Sequence, residues 1–172
     1  AFGYGLSQNI REGYKFLIDN YDAGDEVYVY GFSRGAYTAR SMVGLIRNSG
    51  LLDRNKILQT KTGGEEKYPG WPRPSLEQFK KMHPDDIPHI MDAYQLYRNR
   101  DGSADTDFAV IYRGQFAHPE VKIRLIGVWD TVGALGVPFK VFESFNAEEY
   151  KFHDQELSAI VENAFHAIAI DE

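Results

Sequence analysis

The five residues Gly31-Phe32-Ser33-Arg34-Gly35 constrain this chain more than any other stretch. Glu26-Val-Tyr-Val-Tyr30 precedes them, a β-branched and aromatic run of buried-strand type. Residues 34–48 follow with helical spacing, Ala36, Ala39, Val43 and Ile46 on one stripe and Asn48 and Gly50 as the stop. A serine between two glycines at a strand-to-helix junction has a mechanical meaning. The turn is strained, the glycines let the helix and neighbouring backbone approach, and the hydroxyl stands above the sheet rim. The N–H of Arg34 lies at the helix start, where it can face a developing oxyanion. A phosphate-binding turn would need Gly-x4-Gly-Lys-Ser/Thr, and that run is absent. The pattern marks Ser33 as a nucleophile and the Arg34 backbone N–H as an oxyanion donor.

The rest of the chain reads as alternating helices and strands. Residues 6–20 form an amphipathic helix through Leu6, Ile10, Tyr14, Leu17 and Ile18, and Asp22–Asp25 is a turn. Val121–Trp129 is the second clear strand, apolar enough at its end to suggest a central strand covered on both faces. Between the strands, residues 53–107 are an excursion. Its first part, 53–75, is rich in Gly, Pro, Lys and Thr and reads as exposed, and 75–100 is helical, broken by Pro84 and Pro88. Residues 108–116 are ambiguous between strand and helix. Residues 155–169 read as a last amphipathic helix, capped by Asp154, with Leu157, Ile160, Val161, Ala164, Phe165 and Ile168 on its stripe. Strand, helix, excursion, strand, helix predicts an α/β fold, a mostly parallel sheet flanked by helices.

Composition removes several kinds of chemistry. There is no cysteine, which excludes a thiol nucleophile, a disulfide framework and a cysteine zinc site. The net charge is −6 with no Lys/Arg block, which argues against nucleic acid. No apolar run reaches the ~18 residues of a membrane-spanning helix, and the first residues read as the interior of a domain. No cofactor or metal is expected. His83 and His89 flank Asp85 and Asp86, but a proline-broken polar turn accounts for that spacing. Aromatics make up 14% of the chain, which suits an apolar cleft, although aromatic-rich cores are commoner than aromatic-rich sites.

A serine hydroxyl needs a base, and the base an orienting carboxylate. At a bend of this type the partners follow in the order serine, acid, histidine. Asp130, at the end of the second strand, is the candidate acid. His166 has the right order, although it falls beside an apolar stripe, and the base is expected beyond Glu172. Only 25 residues precede the elbow strand, so residues 1–172 read as part of one catalytic domain.

Four words extend the pattern: Gly31-Phe-Ser-Arg-Gly-Ala-Tyr-Thr-Ala-Arg40, Gly44-Leu-Ile46 with Gly50-Leu-Leu52, Gly127-Val-Trp-Asp-Thr-Val-Gly133, and His166-Ala-Ile-Ala-Ile-Asp-Glu172. In these the chain resembles the uncharacterised α/β hydrolases that include the type-1 phospholipase effectors of bacterial type VI secretion. The resemblance implies an α/β-hydrolase-like domain, Ser33 as nucleophile, Asp130 as triad acid, and a lipid or other ester as substrate. It also implies that a membrane surface, an inhibitor or immunity protein, and secretion as an effector belong to the setting. The family's Asp-Gly-Thr and Gly-x-His-Ser-Asp-Val-Gly words do not occur in these 172 residues. In this light the 53–107 excursion is a helical insertion, with a lid or substrate wall and a plainly packed subdomain as equal alternatives. A soluble carboxylesterase and a non-catalytic interaction domain that keeps the scaffold are the alternatives.

Overall fold

The computed structural model of the chain describes residues 2–59, 71, 74–99, 104–129 and 158–168. Helix α1 (Phe2–Asn20) turns at Gly24 into strand β1 (Val27–Phe32), and after the single residue Ser33 helix α2 (Arg34–Ser49) begins. Helices α3 (Arg54–Gln59), α4 (Leu76–Lys81), α5 (Pro88–Arg98) and α6 (Asp107–Phe116) precede strand β2 (Ile123–Trp129), and strand β3 (Ala164–Ala167) is the last element described. The three strands form one parallel sheet in the order β1-β2-β3. Gly31 lies beside Val128 and Phe32 beside Trp129, and Val128 in turn lies beside His166.

Strand β1 alternates strictly. Val27, Val29 and Gly31 are buried toward α2, which packs on β1 and β2, while Tyr28, Tyr30 and Phe32 point the other way and are exposed. The core lies between the sheet and the helices. Ile10, Tyr14 and Ile18 of α1 join Ala36, Val43, Leu45 and Ile46 of α2 with Ile126 and Val128 of β2. Full burial of each such large side chain is worth about 1.5–3 kcal/mol.

Polar groups tie the far end of α2. The buried Tyr14 hydroxyl donates to the Gly50 carbonyl at 2.6 Å, and burial pushes the phenol's pKa well up, so it remains a donor. Gly50 closes the helix at φ 76°, a conformation glycine accepts readily. A Cβ there would strike the Ala117 side chain.

Helices α4 to α6 form a further layer against α1 and α2. Ser49 Oγ donates to the Ala93 carbonyl at 2.8 Å, and the Tyr112 hydroxyl donates to the His89 carbonyl at 2.6 Å. The Arg11 guanidinium grips both Asp85 oxygens and lies over the Tyr94 ring. Lys15 pairs with Asp19 and sits 4.7 Å from the Phe79 ring centroid. Of the aromatic side chains in the excursion, Phe79 is fully buried and Tyr94 nearly so. They are taken up by packing rather than offered to an interface.

The predicted elements stand with three corrections. The reading of 155–169 as a helix is wrong over all of its described residues: 158–163 are turns with a bridge at Val161, and 164–167 are a strand. The backbone decides it: Ile123 and Ile126 donate to the carbonyls of Ile160 and Asn163, and Glu162 donates back to Ile123, so the open edge of β2 captures the segment. Asp154 and Leu157 lie outside the described residues. The stretch 53–59 is not an exposed loop but includes α3, whose Ile57 is fully buried. Among the described residues β2 is covered by helix on one face, not both. The ambiguous 108–116 is helix α6, started by Thr106, whose side chain accepts the Ala109 N–H at 3.3 Å. Pro88 opens α5 at a position where a helix has no use for the missing N–H.

The Arg11 guanidinium beside Asp85 holds its carboxyl below the usual carboxylate range, against a smaller opposing effect of burial. A depressed folded-state pKa contributes stability above the unfolded value, near pH 4, and loses it as pH falls through the folded value. Replacing Asp85 by Asn is therefore expected to lower the denaturation midpoint at pH 7. The gap to the wild type should close as pH drops below about 4. Equal midpoints at pH 7 would show that this pair does not hold α1 to the outer layer.

Candidate functional site

The bend between β1 and α2 has unusual backbone geometry. Ser33 has φ 53° and ψ −119° and is the one non-glycine residue with positive φ among those described. An L-residue held there costs about 1–3 kcal/mol, and such outliers persist where the surroundings over-determine them. Two features do so here. The Ser33 N–H donates to the Trp129 carbonyl at 3.0 Å, extending the ladder one residue past β1, and the Ser33 carbonyl accepts from Ala36 and Tyr37 to begin α2. Strand and helix both claim this residue, and no linker lies between them.

Gly31 makes the sharp turn possible. A Cβ at this position would collide with the Gly35 carbonyl and lie 2.6 Å from Ala36 Cα. These are backbone atoms that cannot swing aside. Gly35 differs: a Cβ there would meet open space. Of the two glycines in the motif, the first carries the steric requirement.

Ser33 is half-buried at the rim where β1 and β2 end. Arg34 opens α2, so its N–H belongs to the first turn, where helix donors point out of the N-terminal end and the helix dipole favours negative charge. Thr38 Oγ1 returns to the Arg34 carbonyl at 3.2 Å. Phe32 and Trp129 flank the serine, their rings 6.4 Å apart and both substantially exposed. The sequence reading passed over this pair. Its signal was the alternation of Val27, Val29 and Gly31 with Tyr28, Tyr30 and Phe32, which separates a small-residue face from an aromatic one.

Asp130 lies outside the described residues; its neighbour Trp129 ends β2 beside Phe32. His166 lies on β3 opposite Val128 and is exposed. It is not in a helix, and two strand spacings, about 10 Å in all, separate its strand from β1. The other described histidines lie elsewhere. The His118 N–H donates to Leu51, just beyond the far end of α2, and 16 residues of helix put that end about 24 Å from Ser33. Its ring meets Tyr21 edge-on, and burial lowers its pKa. His83 caps the turn before α5 by accepting the Asp85 N–H. His89 is fully buried between Trp71 and Phe116. His83 Nδ1 lies 3.8 Å from an Asp85 carboxylate oxygen, whereas His89 is buried among aromatic rings, so the two histidines have separate settings. His153 lies outside the described residues.

The strain at the bend is measurable. Glycine accepts the Ser33 backbone at no steric cost. Ser33→Gly is therefore expected to be more stable than Ser33→Ala by about 1 kcal/mol or more in denaturant titration. The usual entropic disadvantage of glycine would make it less stable. That reversed order would mean the turn is unstrained. Gly31→Ala, by contrast, should destabilise by about 1–3 kcal/mol through overpacking against α2.

The chain spans 20% of an uncharacterised protein of Saccharomyces cerevisiae to which it is 26% identical over 179 residues, a match covering 99% of the chain. No solved structure matches it. Among the described residues no helix is long and apolar enough to cross a membrane. The family described as "T6SS, Phospholipase effector Tle1-like, catalytic domain" matches residues 1–172, the whole sequence. By that match the chain belongs to the catalytic-domain family of the Tle1-like phospholipase effectors of type VI secretion.

Proposed function

We propose that this chain is the nucleophile-bearing part of an α/β-hydrolase-type serine esterase that cleaves lipid esters. The observation that carries the reading is the positive φ of Ser33 at a bend where strand and helix meet without a linker. Holding a serine there costs free energy, and raising its hydroxyl above the sheet rim is the chemical return on that strain. The family description names a phospholipase effector, which supports a phospholipid acyl ester over a soluble ester and a secreted protein working at a membrane surface.

In this mechanism a base takes the proton from Ser33 Oγ as the oxygen attacks the ester carbonyl carbon. The carbonyl oxygen becomes an oxyanion, and the Arg34 N–H stabilises it. Collapse of the tetrahedral species expels the alcohol, which takes the proton from the base. Water, deprotonated by the same base, then releases the acyl group from Ser33. Asp130 orients the base. The distance between strands β1 and β3 favours a histidine supplied from beyond Glu172 over His166. Helices α4 and α5 serve as a fixed buttress behind α1 and α2 rather than as a moving lid, a role supported by the burial of Phe79 and Tyr94.

The test uses the full-length protein. A fluorophosphonate probe should form an adduct on Ser33 and none on the Ser33→Ala variant. Phospholipid vesicle hydrolysis should fall by at least about 10³-fold in Ser33→Ala and by about 10²–10⁴-fold in Asp130→Asn. Hydrolysis of p-nitrophenyl esters without hydrolysis of vesicles would replace the lipid substrate with a small soluble ester. Intact protein that forms no adduct at Ser33 would leave a non-catalytic domain.

A further inference from the structure

Helices α3 to α6 leave the core and return to it through one narrow neck. Residues 51–53 and 116–118 run antiparallel there, with Leu52 bridged to Ala117. Two backbone hydrogen bonds close it. The Asp53 N–H donates to the Phe116 carbonyl at 2.8 Å, and the His118 N–H donates to the Leu51 carbonyl at 2.9 Å. Gly50, which accepts the Tyr14 hydroxyl at the end of α2, leads straight into this neck. A two-stranded pairing so short is marginal in water unless side chains support it.

The His118 ring gives that support, and its surroundings favour the neutral form. The imidazole lies edge-on against Tyr21, 4.9 Å between centroids, and its side chain is 11% exposed. Two cations are pinned beside it. The Lys56 ammonium donates to the carbonyl of Ala117, the residue before the histidine, at 2.6 Å. The Arg54 guanidinium donates to the carbonyl of Tyr21 at 2.7 Å and to the Asp22 carboxylate. The anions on this side are already engaged. Asp22 holds Arg54, and Asp53 Oδ1 accepts the Asn55 N–H at 2.8 Å, at the start of α3. The second Asp53 oxygen is 4.0 Å from His118 Nδ1, beyond hydrogen-bond reach. Burial is the largest effect and lowers the His118 pKa. Asp53 opposes it, Lys56 and Arg54 add to it, and Asp22 opposes it more weakly, so the net shift is downward.

We infer that the neck is an acid-released clasp: the neutral His118 ring holds residues 51–53 and 116–118 together, and a proton on that ring parts them. A folded-state pKa below the ordinary histidine value of about 6.5 stabilises the closed neck above that value, and this stability is lost as pH falls through the folded value. Once the neck has parted, the ring reaches water and escapes the desolvation penalty on its charged form. The opening is local. Helices α4 to α6 stay seated through Arg11 on Asp85, Ser49 on Ala93 and Tyr112 on His89. Asp85 keeps its charge over this interval, because Arg11 holds its carboxyl below the usual carboxylate range. What acid loosens is the junction at the foot of α2, the end away from Ser33. The inference stands on the neck alone and does not depend on Ser33 being a nucleophile.

Hydrogen–deuterium exchange of the full-length protein, read by mass spectrometry and corrected for the intrinsic pH dependence of exchange, tests the clasp. Opening at residues 50–58 and 115–120 should rise about threefold or more as pH falls from about 7.5 to about 5.5, while opening of β1 stays unchanged. His118→Phe keeps a ring against Tyr21 and cannot take the proton, so its neck should open equally at both pH values. Exchange of the imidazole C2–H in the wild-type protein reads the His118 pKa directly and needs no variant. It should lie below the value of about 6.5 for an unfolded peptide. A His118 that titrates at or above that value, a wild-type neck whose opening ignores pH, or an acid response that persists in His118→Phe each overturns the inference. None of these results bears on fluorophosphonate labelling of Ser33.

Discussion

Gly31 lies against the first turn of α2 with no room for a side chain, and much of the fold depends on that approach. With no side chain at 31, the Gly35 carbonyl and Ala36 can sit directly on the strand. The helix then starts one residue after the strand ends and lies flat enough for Ala36, Ala39 and Val43 to seal Val27 and Val29. A methyl group at 31 would lift the start of the helix, and with it the backbone that holds Ser33 in its strained conformation. The core under the sheet and the half-buried serine at its edge are two results of one missing side chain.

Much of this was legible in the sequence. The bend and its two flanking elements could be read because each has its own local signal: alternation before Ser33, a 3.6-residue stripe after it, and glycine at the turn. The motif did not distinguish the two glycines, because the crowding at Gly31 and the open space at Gly35 arise only when α2 has packed. The segment Ala164–Ala167 was misread for a related reason. Ala-Phe-His-Ala-Ile fits a helical stripe as well as a strand, and the choice is made by unpaired N–H and C=O groups on β2, far away in the chain. Ile57 shows the same limit, since polar neighbours conceal one buried contact in an otherwise exposed-looking stretch.

The excursion between the strands shows what an amphipathic pattern leaves open. Periodicity in 75–100 announces an apolar face without naming what lies against it. A membrane, a substrate and another helix are all compatible with Phe79, Tyr94 and Tyr97. The partners turn out to be α1, α2 and α6, with polar contacts that the pattern does not encode: Arg11 on Asp85, Ser49 on Ala93 and Tyr112 on His89. Burial raises the pKa of the Tyr97 phenol, as befits a ring lying over Gly44 inside the helix layer.

The tail of α2 is fastened with particular care. Its last carbonyls and those just beyond are met by side chains from elsewhere, Tyr14 reaching Gly50 from α1 and Arg113 reaching Asn48 from α6. A rod clamped at one end pivots little at the other. The direction in which the Arg34 amide looks is therefore set partly by a phenol and a guanidinium some four helical turns away. Evolution can retune the rim of this sheet by loosening or tightening a fitting that no ligand at the rim would ever touch.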